Sequence, residues 1–160
     1  MKRKILVADD EPLMIMLISD FLSSDYEIIT AKDGREALNT FREHGDISLA
    51  ILDIMMPFLN GLEVLNEIKK ESSIPIILLT AKNTEMDELT GLISGADEYI
   101  KKPFSPSILK ARVDIIIKRI YPNINPQIKS CGELSIDLKK SVINCCQIEL
   151  DLSLTEYNLL

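Results

Sequence analysis

Strand-length apolar runs alternating with amphipathic stretches constrain this chain more than any other feature of it. KILVA (4–8), EIIT (27–30), LAILD (49–53) and IPIILLT (74–80) are rich in β-branched residues, and EYI (98–100) is a shorter fifth run. Helical periodicity fills 12–24, 34–44, 61–71, 84–95 and 105–120. Asp33 precedes the second of these as a cap, Ser105 and Pro106 open the fifth, and Gly95 closes the fourth. Five strand–helix units with continuously apolar strands predict an α/β fold, a parallel sheet covered on both faces.

After residue 120 the texture changes. YPNINPQIKSCG (121–132) carries two prolines, two asparagines and a glycine and is expected to be a linker between a domain over 1–120 and a fragment over 133–160. ELSIDLKKSVINCCQIELDLS (133–153) predicts three short antiparallel strands, too few for a domain by themselves. SLTEYNLL then begins a helix, capped by Ser153 or Thr155. At 46% hydrophobic and 27% charged, the chain can bury a core and keep a solvated surface. A net charge of -7 argues against a nucleic-acid-binding surface over most of it. Three cysteines make neither a disulfide framework nor a metal pattern. With no run of membrane-span length and no signal peptide, a cytoplasmic protein without membrane association is expected.

In a parallel α/β sheet, functional groups collect beyond the carboxyl ends of the strands. The first strand ends in Asp9, Asp10 and Glu11, the third in Asp53, the fourth in Thr80, and Lys102 and Pro103 follow the fifth. Singly, each has a plain structural explanation. Asp9 and Asp10 could cap a helix before Pro12, Asp53 the turn before Pro57, Thr80 could be a turn residue and Lys102 a surface charge. Their coincidence at four strand ends favours a site. Carboxylates so close repel one another, and a hard divalent cation such as Mg²⁺ relieves the conflict. Lys102 and Thr80 supply a cation and a hydroxyl suited to phosphoryl oxygens, and aspartate is an established covalent acceptor. Asp53 is therefore the candidate nucleophile.

ILVADDE, ILDIMMPFLNG, IILLTAK and GADEYIKKPFS, in that order and spacing, resemble the signature segments of bacterial two-component response-regulator receiver domains over residues 1–120. The resemblance implies a flavodoxin-like, doubly wound five-stranded parallel sheet in the order 2-1-3-4-5. It implies that Asp53 accepts a phosphoryl group from a sensor histidine kinase. Asp10 then ligates Mg²⁺ directly, Asp9 acts through water, and the Met55 backbone carbonyl completes the protein ligands. Thr80 and Lys102 contact the phosphoryl group, Lys102–Pro103 is a cis peptide, and Tyr99 is the switch partner of Thr80. Residues 133–160 resemble the start of an OmpR/PhoB-type winged-helix output domain without its recognition helix or wing. The parent is then expected to be a transcription regulator, with DNA binding left to a full-length chain.

The same resemblance places a phosphorylation-dependent homodimer face on the fourth helix, fifth strand and fifth helix. Asp97 and Arg112 match intersubunit salt-bridge positions, but Glu88 and Ile108 stand where a basic–acidic pair is usual. In the fifth helix Leu109, Val113, Ile116 and Ile120 follow core spacing, while Ile108, Arg112, Ile115 and Arg119 line a second face. Thr90 and Gly91 inside the fourth helix should make it easily remodelled. Met55 and Lys82, two residues past Asp53 and Thr80, flank the path of an attacking water and predict at most a slow autophosphatase rather than a turnover enzyme. A haloacid-dehalogenase-type phosphatase would need a second aspartate where Met55 stands. A fold that had lost phosphorylation would lack one of the key residues, and all are present. Met14 and Met16 are expected to fill the core.

Overall fold

The computed structural model describes residues 2–81 and 95–122, together with the backbone of four strands beyond residue 127. The chain divides into two compact units, Met1–Ile120 and Tyr121–Leu160. In the first unit the strands are β1 (Arg3–Ala8), β2 (Tyr26–Ala31), β3 (Ile47–Asp53), β4 (Ile76–Thr80) and β5 (Glu98–Lys101). The helices are α1 (Pro12–Leu22), α2 (Gly34–Glu43), α3 (Gly61–Glu71) and α4 (Pro106–Ile120). The helix expected over 84–95, with Thr90 and Gly91, lies outside the described residues, as do Lys82, Glu88 and the helix expected from SLTEYNLL.

The sheet runs β2-β1-β3-β4-β5 with every pairing parallel, the flavodoxin-like doubly wound order. Every residue of β3 and β4 is buried, which is why their sequences are apolar apart from Ser48 and the terminal Asp53 and Thr80, and do not alternate. Side chains of successive strand residues still point to opposite faces. Leu6, Ala50, Leu52, Ile76 and Leu78 meet Leu38 of α2 and Val64, Leu65 and Ile68 of α3 in one core. The alternate residues Ile5, Val7, Leu49, Ile51, Ile77 and Leu79 are equally sealed, on the side where α1 and α4 pack together. Each such aliphatic side chain contributes about 1.5–3 kcal/mol on burial, so register is strongly specified.

Several boundaries differ from the sequence expectation, each for a physical reason. β3 starts at Ile47, where Lys4 pairs with it and both Ile47 and Ser48 are buried. β4 starts at Ile76 because Pro75 has no N–H to give the ladder; its carbonyl accepts from the Ala50 amide at 3.0 Å. Ile120, assigned to the core by spacing, falls in the last turn and is exposed, and Ile117 is buried in its place. Met16 is exposed too, because α1 turns it away from the sheet.

Among the described residues of the second unit, an additional strand, β6 (Ile128–Cys131), precedes the three expected over 133–153, which are β7 (Leu134–Asp137), β8 (Val142–Cys145) and β9 (Ile148–Leu150); the four form one antiparallel sheet in that order. β6 occupies the end of the expected linker. A four-residue strand beside prolines and glycine carries too little periodicity to stand out, but its pairing with β7 is regular from Ile128↔Asp137 to Cys131↔Leu134. Among the described residues no helix is long and apolar enough to cross a membrane.

Candidate functional site at the sheet edge

β1 and β3 are neighbours, so the residues at their carboxyl ends emerge side by side. Asp9 follows β1 and is fully buried, Asp10 beside it is exposed, and Asp53 closes β3 at 4% exposure. One carboxylate oxygen from each lies within 4.8 Å of the others. The Asp9 amide donates to the Ala31 carbonyl at 3.2 Å, and Asp9 Oδ1 accepts from the Glu11 amide at 2.9 Å. Backbone bonds therefore aim this side chain before any ligand arrives.

Lys102 reaches into the same cluster from beyond β5. Its Nζ lies 2.7 Å from Asp9 Oδ2 and 3.1 Å from Asp53 Oδ1. The Lys102 amide donates to the Thr80 carbonyl at 2.6 Å, and the Lys102–Pro103 peptide is cis. Thr80 ends β4 and is wholly buried, so three adjacent strands and the segment after a fourth converge on one spot.

The electrostatics follow from this crowding. Burial pushes the Asp53 carboxyl above its ordinary range; Lys102 works against that, while Asp9 and Asp10 add to it. Burial alone would lower the Lys102 ammonium, but the hydrogen bond to Asp9 and the charge and hydrogen bond of Asp53 outweigh it, and the net direction is up. The site thus holds more negative charge than one ammonium neutralises, all of it on oxygen. Such a hard-donor set suits Mg²⁺.

The loop after β3 is built tightly around Asp53. The Ile54 amide donates to the Leu79 carbonyl at 2.9 Å, and the Gly61 amide returns to the Ile54 carbonyl at 3.0 Å. A Cβ at Gly61 would lie 2.3 Å from the Asp53 carbonyl oxygen, so only glycine lets α3 begin there. Asn60 and Glu63 form a capping box that fixes the first turn of α3. Met55 is exposed at the rim. Phe58, also exposed, has φ 67°, a left-handed conformation that no sequence signal at a phenylalanine announces.

Of the other expected switch and dimer residues, Tyr99 lies on β5, Asp97 just before it, and Ile108, Arg112 and Ile115 on α4. Tyr99 pairs with Leu78, packs against the core, and buries a hydroxyl with no hydrogen-bond partner among the described residues. Asp97 Oδ2 accepts from the Ile76 amide and from Lys69 Nζ, each at 2.9 Å. Arg112 pairs with Glu98 at 2.8 Å. Both residues assigned to intersubunit bridges therefore have partners within the chain. Ile108 and Ile115 are 54% and 63% exposed on the outer face of α4.

Comparison with known proteins agrees with this architecture. Residues 5–114 match the family described as "Response regulator receiver domain". The chain is 42% identical, over 99% of its length, to a probable transcriptional regulator ycf27 of Galdieria sulphuraria. It is 42% identical, over 84% of its length, to the response regulator GtcR of Aneurinibacillus migulanus. It spans 65% of the Galdieria protein and 56% of GtcR. Among solved structures, the BeF3-activated DrrB receiver domain superposes with a TM-score of 0.69 at 32% identity, covering 74% of this chain and all of that one. The Thermotoga maritima response regulator DrrB, titled an OmpR/PhoB homolog, gives 0.68 at 28% identity, covering 99% of this chain and 70% of its own. With the sheet order, the acidic edge and the family match in agreement, the chain belongs to the response regulator receiver domain family.

Proposed function

We propose that Asp53 accepts a phosphoryl group from the phosphohistidine of a sensor kinase, and that this controls dimerisation and, in a full-length parent, transcription. The observation that carries the proposal is the meeting of Asp9, Asp10 and Asp53 with Lys102 poised between two of them. An Asp53 carboxylate oxygen attacks phosphorus, the P–N bond to the imidazole breaks, and its electron pair stays on the histidine nitrogen. An acyl phosphate results. Asp10 and Asp53, the Met55 carbonyl and, through water, Asp9 would hold Mg²⁺, which when bound neutralises phosphoryl charge. Lys102 need only exchange a carboxylate partner for a phosphoryl oxygen, and the Thr80 hydroxyl donates to another.

Phosphorylation places about 1.5 to 2 negative charges beside Thr80. Drawing that hydroxyl toward the phosphoryl group would open space next to β5. Tyr99 already packs inward, so the switch would favour this rotamer rather than create it. Dimerisation on the face of Ile108, Arg112 and Ile115 would require Arg112 and Asp97 to trade their internal partners for those of a second copy. The four-stranded sheet over 128–150 is read as the start of a winged-helix output domain, DNA contact lying with a longer parent.

Incubating the chain with acetyl phosphate and Mg²⁺ and measuring its intact mass tests the proposal. One phosphoryl group should appear on the wild type and none on Asp53→Ala. No addition to the wild type, or equal addition to both, would overturn it.

A further inference from the structure

The loop between β3 and α3 is pinned at both ends yet strained in the middle. The Leu59 amide donates to the Pro57 carbonyl at 2.9 Å across Phe58, whose φ is 67°. A two-residue bond over a left-handed residue is the rare, strained form of γ-turn, and a phenylalanine tolerates it far less readily than glycine. The ring gains little from burial, being 68% exposed with its residue. The Arg35 guanidinium lies over the ring at 4.8 Å from its centre.

Arg35 is well placed to hold such a ring. It follows Gly34 in the first turn of α2, and a Cβ at Gly34 would lie 2.0 Å from the Leu59 carbonyl oxygen, so α2 abuts the loop backbone directly. The start of α2 is itself fixed. Asp33 Oδ1 accepts from the Glu36 amide and Glu36 Oε2 from the Lys32 amide, each at 2.8 Å. The helix end is a rigid post against which the loop leans.

We infer that Arg35 is a positioning residue for the phosphoryl-acceptor site: by clamping Phe58 it keeps the loop carrying Met55 in the conformation that the site requires. The inference rests on the reading of Asp53 and its neighbours as a Mg²⁺-assisted acceptor. The strain at Phe58 gives the loop a relaxed alternative, and the clamp biases it against that alternative. A cation that binds one loop conformer has an apparent dissociation constant divided by that conformer's population. The sign of the effect is diagnostic. Arg35 is a positive charge, so if it acted only through its field, removing it would tighten cation binding. The clamp predicts the reverse.

The test is calorimetric titration of the whole chain with Mg²⁺, with thermal melting of each variant alongside. Arg35→Ala should weaken binding about two- to fivefold, the size of an exposed cation–π contact, and Arg35→Lys should restore most of it. Phe58→Gly relaxes the turn and should bind at least as well as wild type. In that background Arg35→Ala should cost nothing. Arg35→Ala binding as tightly as wild type or tighter, or losing as much with Gly at 58 as with Phe, would overturn the clamp and leave the acceptor reading standing. A wild type that takes up no Mg²⁺ at all would instead overturn the acceptor reading, and the clamp with it.

Discussion

Met55 stands two residues beyond Asp53 and is 55% exposed; on the proposed function it lies beside the path by which water reaches the acyl phosphate. Its apolar side chain neither orients nor activates a water there. Loss of phosphate from the labelled chain should therefore be slow, and Met55→Ser should shorten the lifetime several-fold by admitting a hydrogen-bonded water. A time course of intact mass after removal of acetyl phosphate measures it. A wild-type lifetime of seconds, or no change on substitution, would contradict the barrier. At this scale Asp9, Asp10, Asp53, Thr80 and Lys102 could all be read from the sequence, because each falls at the end of an apolar run. Their assembly follows from strand order, which brings together residues up to 93 positions apart. Phe58 could not be read in this way. Its left-handed backbone sits in a loop whose neighbours, Gly34 of α2 against Leu59 and Gly61 against Asp53, are brought close only in the finished fold.

Between elements, α4 is fastened to the edge strand β2 by polar groups. The Tyr26 hydroxyl donates to Asp114 Oδ1 at 2.7 Å, and Lys110 pairs with both Asp25 and Asp114. Burial, with help from Asp114, pushes the Tyr26 hydroxyl well above its usual pKa. The hydrogen bond to Asp25 raises Lys110 as well. In both cases the folded state holds its proton more firmly than the unfolded one. Their stabilisation is thus full below ~10, where free tyrosine and lysine titrate, and declines as pH rises beyond it. Tyr26→Phe should remove part of that alkaline decline and, at neutral pH, cost about 1.5 kcal/mol for the hydrogen bond to a carboxylate. Urea unfolding across the alkaline range, from about pH 7 to about pH 11, provides the check; an unchanged alkaline slope would count against the network. The described strands and helices of the first unit are legible from periodicity because their apolar faces are continuous. Boundaries shifted where pairing or proline decided them, as at Ile47 and Pro75, and β6 was hidden by turn-forming neighbours.

For the molecule as a whole, the doubly wound sheet has a simple consequence. The acidic cluster sits at one edge of the sheet, while the face proposed for dimerisation is lateral, on α4 and β5. Ile108 and Ile115 are exposed there, with Arg112 between them held by Glu98. Sedimentation should show a monomer that becomes a dimer with Mg²⁺ and beryllofluoride, and Ile115→Glu should abolish the dimer without altering the site. A monomer under both conditions at high concentration would rule this face out. Its apolar stripe was visible in the helical spacing, but the internal pairing of Asp97 and Arg112 was not, since Lys69 and Glu98 become their neighbours only through packing.

The central claim is that one carboxylate among three takes the phosphoryl group. Treating the acetyl-phosphate-labelled chain with borohydride reduces an aspartyl phosphate to homoserine, and peptide mass spectrometry then locates it. The account predicts homoserine at position 53 alone. Homoserine at Asp9 or Asp10, or none in protein that carries phosphate, would contradict it.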